Sequence, residues 1–308
     1  MNRNLVCSTT MIKAVLNILS KVLSFLAGLL FGRKKKAPLP EGQYETIVVD
    51  RTAGNGIVKL IFNRPRKKNA FNSTMYREVS DTLNALSSDP SVKACIITGA
   101  GDFYSSGNDL ANFSVIMHPL SMAKLARATC DTFVSSFINF KKPLVAVVNG
   151  PAIGIAATTL GLCDKIFACD RAYFKTPFAE LGQSPEGCSS FVFPRIMGEK
   201  VAHEVLWDSK QLTATSAIEN HFVHEIHPPG TIEAAAVAYC NQLVGTLTVQ
   251  EVHQHRWPIR EKLVEKLHEV NQQELDVLEK KWVCAECFLA LATFLESRNM
   301  KLAAFVLR

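Results

Sequence analysis

Apolar and polar positions along the chain change period several times, and each change predicts an element. Residues 46–50 (Thr-Ile-Val-Val-Asp) and 57–62 (Ile-Val-Lys-Leu-Ile-Phe) are short β-branched runs on either side of Gly54-Asn55-Gly56, an antiparallel hairpin signal. A helical period follows over 74–86, then a β-rich run at 94–98 and a second helical stretch at 120–139. Residues 144–148 form a buried-type strand, residues from about 154 to 161 a small-residue helix, and residues 165–169 another strand. Beyond Thr213 the pattern is nearly all helical, with long segments around 231–246, 248–282 and 284–298. Strands and helices alternating across short connections predict an α/β fold with mainly parallel pairing and a helical C-terminal region.

Ahead of this body lies a different pattern. Over residues 12–31, Ile12, Val15, Leu16, Leu19, Val22, Leu23, Leu26 and Leu30 recur at helical spacing opposite Lys13, Asn17, Ser20, Lys21 and Ser24. Gly32-Arg33-Lys34-Lys35-Lys36 ends the run, and Pro38-Leu39-Pro40 reads as a linker. A mitochondrial presequence, a membrane anchor and a surface-lying helix all fit, so membrane contact through 12–31 stays open; Lys21 weighs against a spanning segment. The expected organisation is a leader and linker over 1–40, a catalytic core over 41–247 and a C-terminal helical region over 248–308 for oligomerisation and active-site cover.

Composition changes this picture in two respects. The 308 residues are 48% hydrophobic and 20% charged, which is ordinary for a globular chain. The formal charge of +6 comes from the leader: residues 1–40 hold seven basic residues and no acidic one, leaving 27 basic against 28 acidic elsewhere. A neutral body with a basic leader does not describe a nucleic-acid-binding face, and the basic run at 64–68 lacks interleaved aromatics. Nine scattered cysteines in apolar runs read as free buried thiols, and Cys284-Ala-Glu-Cys287 has no second pair to make a zinc site. His221, His224 and His227, three apart, do not converge on a metal, and none is expected; His253 and His255 would face opposite sides of a helix.

Candidate chemistry sits in three loops at strand ends and one turn. The first loop, Asn63-Arg-Pro-Arg-Lys-Lys-Asn-Ala-Phe-Asn72, is either a solvated charge run or a holder of a polyanionic, nucleotide-like group. The second, Gly99-Ala-Gly-Asp-Phe-Tyr-Ser-Ser-Gly-Asn-Asp-Leu110, fails the dinucleotide spacing because Tyr104 takes the third glycine position. It leads into a helix, as does the third, Asn149-Gly-Pro-Ala-Ile-Gly-Ile155, so both can present free N–H groups to one carbonyl oxygen as an oxyanion hole. Asp109 reads as a cap for the helix that follows it. The turn is Gln183-Ser-Pro-Glu-Gly-Cys-Ser-Ser190, with Phe191, Val192 and Phe193 next. Its Glu186 reads either as a cap for a helix opened by Ser189 and Ser190 or as a proton-transfer base with a desolvated carboxyl. Glu180 is the rival acid.

The three loop motifs, in order, resemble the crotonase (enoyl-CoA hydratase/isomerase) superfamily over about residues 43–300. Ser105-Ser-Gly-Asn-Asp-Leu110 with Ser184-Pro-Glu-Gly-Cys-Ser-Ser190 is similar to its Δ3,Δ2-enoyl-CoA isomerase branch of peroxisomal type. The resemblance implies a crotonase-like spiral of ββα units. It implies an oxyanion hole from the backbone N–H groups of Asn108 and Ile155, and Glu186 as the isomerase base. A CoA-binding surface would involve Arg64, Arg66, Lys67, Ala70, Ser106, Gly107, Asp109, Leu110 and Gly154. The positions of the two hydratase glutamates align with Thr158 and Phe178, so water addition is not expected. The implied activity shifts the double bond of 3-enoyl-CoA to the 2-trans position in unsaturated fatty-acid oxidation, with no cofactor beyond the CoA of the substrate. A non-catalytic acyl-CoA-binding module is the alternative.

The implied assembly is a homotrimer or dimer of trimers. The leader favours a mitochondrial location, with a peroxisomal one as alternative. Met300-Lys-Leu302 lies short of the closing Phe305-Val-Leu-Arg308, so a receptor-read C-terminal address is not expected, nor is an acyl-CoA-binding domain before the core.

Overall fold

The computed structural model describes residues 44–114 and 118–297. The leader, Met300–Leu302 and the C-terminal residues lie outside these. The hairpin expected at the start is present: β1 (Ile47–Asp50) pairs antiparallel with β2 (Ile57–Phe62), Ile47 opposite Phe62. From β2 onward the main sheet is parallel, through β3 (Ala94–Gly99), β4 (Leu144–Val148), β6 (Lys165–Cys169) and β9 (Glu225–His227). Every residue of β3 and β4 is buried, as in a sheet covered by helices on both faces. A second sheet joins β5 (Ala152–Ile153), β7 (Tyr173–Lys175) and β8 (Leu212–Thr213).

α1 (Ser73–Ser88) opens where Asn72 accepts from the Met75 N–H at 2.9 Å, and buries Met75, Val79, Leu83 and Leu86 at helical spacing. It packs on α2 (Pro119–Ile138), which in turn packs on α7 (Val249–Lys281). The small-residue helix is shorter than the pattern predicts. α3 covers Ile155–Thr158 and continues as a 3-10 turn, Thr159–Leu162, before the extended Cys163. α4 (Ser189–Leu206) bends at Gly198. α5 (Ala214–Glu219) and α6 (Ile232–Val244) flank β9, a three-residue strand inside the stretch predicted as helical. It is too short to show an alternation, and its place comes from pairing with β6 at the sheet edge. α7 begins with a capping box between Thr248 and Glu251, and α8 (Ala285–Ser297) follows.

The eight described cysteines are free and six are buried. Beneath the loops that follow β2 and β3, Phe62, Phe71, Tyr76, Tyr104 and Phe133 stack edge to face with centroids 5.0–5.3 Å apart. This gives the loops a rigid floor.

Candidate active site

β2, β3 and β4 are adjacent and parallel, so the loops that follow them leave the same edge of the sheet. Side-chain amides, buried Asn69 and half-buried Asn149, fasten them to one another. Asn69 accepts from the Arg64 N–H at 2.9 Å and donates to the carbonyls of Ala100 (2.9 Å) and Phe103 (2.7 Å). Asn149 accepts from the Gly99 N–H at 3.1 Å and donates to the Gly101 carbonyl at 2.7 Å. The Phe71 N–H donates to Gly107 O and the Asp109 N–H to Phe71 O, while the Ile153 N–H donates to Ser105 O at 3.0 Å and the Ser105 N–H to Pro151 O at 3.1 Å. The three loops form one cradle.

Within it, Gly107 holds φ at +80°, and a β-carbon there would lie 2.5 Å from the Ile153 carbonyl oxygen. Only glycine lets the second and third loops approach this closely. The next residue, Asn108, bridges Phe71 without giving it its N–H, and Ile155 is the first residue of α3, after Gly154. Neither amide has an acceptor among the described residues.

Glu186 sits in the turn ahead of α4. Gly187 sets its depth, since a β-carbon there would come within 2.6 Å of Thr158 Oγ1. Thr158 and Phe178 are both buried and carry no carboxyl. Glu186 is half-buried, and one described side chain hydrogen-bonds its carboxylate: the Cys130 thiol donates to Oε2 at 3.5 Å. Burial drives its pKa up to about 7; the thiol bond opposes this and the Glu274 carboxylate adds to it. Its field, behind burial, helps push the Tyr76 hydroxyl well above its ordinary range. That hydroxyl lies 3.4 Å from Asn108 Oδ1, so one ring links the Glu186 turn to the residue bearing a free amide. The cap reading of Glu186 fails: the Glu274 carboxylate occupies the start of α4, and Glu186 contributes only its backbone carbonyl, to Ser189.

The remaining expected residues separate into two groups. Arg64 is largely enclosed and pairs with Asp109 at 2.9 Å, and it also donates to the Ala70 carbonyl, so these three brace the cradle. Asp109 additionally accepts from the Ala111 N–H at 3.0 Å, a cap of the following 3-10 turn. Ser106 is tied by its N–H to Lys68 O, and Leu110 packs on Leu291, Ala292 and Leu295 of α8. Arg66 and Lys67 are exposed, beside an open cleft of about 260 Å³ that Asn63, Arg64 and Pro65 also line. Glu180 is not in the site; it pairs with Lys175 at 2.7 Å. His224 accepts from the Ile166 N–H and His227 pairs with Glu225, both at the sheet edge. No cluster of three or more potential metal ligands exists among the described residues.

Sequence reasoning misses Tyr76, Cys130 and Glu274, which meet Glu186 from three helices. Tyr76 and Cys130 carry no local signal. Glu274 carries one, for it falls with Asn271 on the stripe of Leu267, Val270, Leu275 and Leu278, where an apolar residue is expected.

The chain matches the enoyl-CoA hydratase/isomerase family over residues 52–303 and belongs to that family. It is 45% identical over 262 residues to enoyl-CoA delta isomerase 2 of Homo sapiens, covering 84% of this chain and 65% of that protein. To "enoyl-CoA delta isomerase 3, peroxisomal" of Mus musculus it is 41% identical over 245 residues, covering 79% and 77%. A solved enoyl-CoA hydratase/isomerase from Pseudoalteromonas atlantica T6c superposes with a TM-score of 0.75 at 27% identity, over 82% of this chain and 98% of that one. The fold is the crotonase-like spiral of ββα units, closed by C-terminal helices. The chain spans about two thirds of the human isomerase it matches.

Proposed function

We propose that the protein is a Δ3,Δ2-enoyl-CoA isomerase. The observation that carries the reading is a carboxylate whose pKa is pushed up to about 7, together with two amides in the loop cradle that have no acceptor among the described residues. A 3-enoyl thioester has α-protons acidified by the carbonyl and by the alkene. Glu186 takes one of them as a general base. The N–H groups of Asn108 and Ile155 hold the dienolate oxygen. The carboxyl then returns the proton at C4, which leaves the double bond at C2. The proton is moved rather than consumed, so one carboxyl suffices and no group beyond the chain and the thioester is needed. Buried Thr158 and Phe178 supply no second carboxyl to activate water, which separates isomerisation from hydration.

Arg66 and Lys67, beside the open cleft, are the side chains we assign to the phosphates of CoA, with Ala70, Ser106, Leu110 and Gly154 shaping the channel. Exposed Leu120 and Leu125 on α2 and Ile259 and Leu263 on α7 support a homotrimer or a dimer of trimers, which a mass measurement in solution tests. The basic, acid-free leader supports a mitochondrial location, although one relative is named peroxisomal. Imaging the full chain beside a form lacking residues 1–40 tests that assignment. No described helix is long and apolar enough to cross a membrane. The activity is tested by following conversion of 3-enoyl-CoA to 2-trans-enoyl-CoA with the native chain and Glu186→Gln. Equal turnover by the two refutes the reading, and conversion of 2-trans-enoyl-CoA to a 3-hydroxy product would assign hydration instead.

A further inference from the structure

The start of α4 is where two carboxylates compete for one set of donors. A carboxyl a few residues ahead of a helix ordinarily folds back onto the first free N–H groups, where hydrogen bonds and the helix dipole favour its charge. Glu186 is placed to do this for α4. It does not, because Glu274 arrives from the middle of α7. Glu274 Oε2 accepts from the Cys188 N–H at 2.7 Å, and Oε1 accepts from the Ser190 N–H at 2.9 Å and the Ser190 hydroxyl at 2.6 Å. It is 7% exposed, and Cys188 donates its thiol to the Leu267 carbonyl one helical stretch earlier on α7.

The same stretch of α7 also fixes the other side of Glu186. Asn271 and Gln272 each donate to Asp131 at 2.8 Å, and Asp276 pairs with Arg127 at 2.8 Å. Asp131 and Arg127 flank Cys130, the thiol that meets Glu186. One surface of a C-terminal helix therefore clamps both the turn that carries Glu186 and the helix that carries its only described side-chain hydrogen-bond donor.

We propose that Glu274 is a positioning residue of the active site: it occupies the amides that open α4, denies them to Glu186, and leaves the Glu186 carboxylate free to act as the base. This rests on the isomerase reading of Glu186. The titratable groups around Glu186 are Tyr76 on α1, Cys130 on α2 and Glu274 on α7. Of the charged groups behind them, Asp131 and Arg127 are engaged as described, and Arg260 of α7 donates to the Phe137 carbonyl. Tyr76 and Cys130 are held neutral by burial, so Glu274 is the charge that faces Glu186. Its burial raises its own pKa, and its three donors oppose that.

The test is the pH dependence of kcat and kcat/KM for the native chain, Glu274→Gln, Glu274→Asp and Glu186→Gln, with CoA binding and thermal unfolding measured on each. Glu274→Gln removes the facing charge and releases at least one amide to Glu186, so the acid limb should move down by about one pH unit and the plateau kcat should fall about tenfold. Glu274→Asp keeps the charge and shortens the reach. Its acid limb should move down by less than in Glu274→Gln, since only the released amides act, while the plateau falls. A mere fold-stabilising role would lower the unfolding temperature and leave the acid limb of the folded fraction unmoved, and that result overturns the proposal. So does an Asp variant with native kcat, which decides the question even where the Gln variant does not fold. Turnover retained by Glu186→Gln would instead refute the assignment of the base, and the two failures are thus told apart in one assay.

Discussion

The loop cradle and the Glu186 turn are built on opposite terms. In the cradle the side chains between the loops are committed: Asn69, Asn149 and Ser105 tie three loops with hydrogen bonds, and Arg64 is spent on Asp109 and Ala70. Among the described residues, the backbone N–H groups of Asn108 and Ile155 have no acceptor. The Glu186 carboxylate, by contrast, receives one weak thiol donor, and the strong donors next to it belong to Glu274. Satisfaction makes the cradle rigid, which an oxyanion site requires because its donors must be in place before charge develops. Deprivation suits Glu186 to the role of base proposed for it, because a carboxylate rich in donors would hold its charge too comfortably to take a proton from carbon. The two regions thus divide stability from reactivity.

The largest expected effect breaks the reactive side. Glu186→Gln should lower kcat by about 10³-fold while CoA binding, read by calorimetry with an unreactive acyl-CoA, stays native. In the native chain kcat/KM should rise with pH and level off above about 7, since the active form is the carboxylate. A profile flat from pH 5 to 8 contradicts this.

The same substitution should stabilise the fold, which sharpens the comparison. The folded-state pKa of Glu186 is raised from 4.5 to about 7, so the folded chain favours the protonated form. That contribution is fully present below about pH 4.5 and is lost as pH rises through about 7. A neutral glutamine avoids the loss. Denaturant unfolding of the two chains should coincide near pH 4 and differ by about 3 kcal/mol in favour of Glu186→Gln above pH 8. A difference independent of pH would mean that the carboxyl is not strained by burial.

On the satisfied side, Gly107→Ala should displace the loop that presents the Asn108 N–H, because the new β-carbon would meet the Ile153 carbonyl at 2.5 Å. Loss of one well-placed donor costs about 10²-fold in kcat. KM for the thioester should change little by comparison, and an unchanged kcat would remove Asn108 from the site.

The cradle was legible in the sequence because its devices are local. Within each loop the glycines, the amides after strands or the basic run are close neighbours in sequence, and the family resemblance implies a role for each. Even there, Arg64 was grouped with Arg66 and Lys67, since only its enclosure against Asp109 separates a brace from an exposed cation. The Glu186 turn was legible as a carboxylate and not as an environment. Its controlling partners come from α1, α2 and α7, the last of them 88 positions downstream, and no local pattern links such distant residues. β9 was lost for the same reason: three residues become a strand because β6 lies beside them.

The smallest effect tests the grouping of the cations. Arg66 is exposed and lines the open cleft with Lys67, whereas Arg64 holds Asp109 and the Ala70 carbonyl one step from Asn108. If Arg66 meets a CoA phosphate through solvent, the contact is worth about 1 kcal/mol and weakens in salt. Arg66→Ala should therefore raise KM about fivefold with kcat unchanged, and the gap between the two chains should close as ionic strength rises. Arg64→Ala should act differently, lowering kcat as well as raising KM, with little dependence on salt, because a released Asp109 loosens the loop that aims the Asn108 amide. Should both substitutions give the same salt-dependent rise in KM, Arg64 would be a phosphate ligand after all and the cradle would be less self-contained than its hydrogen bonds imply.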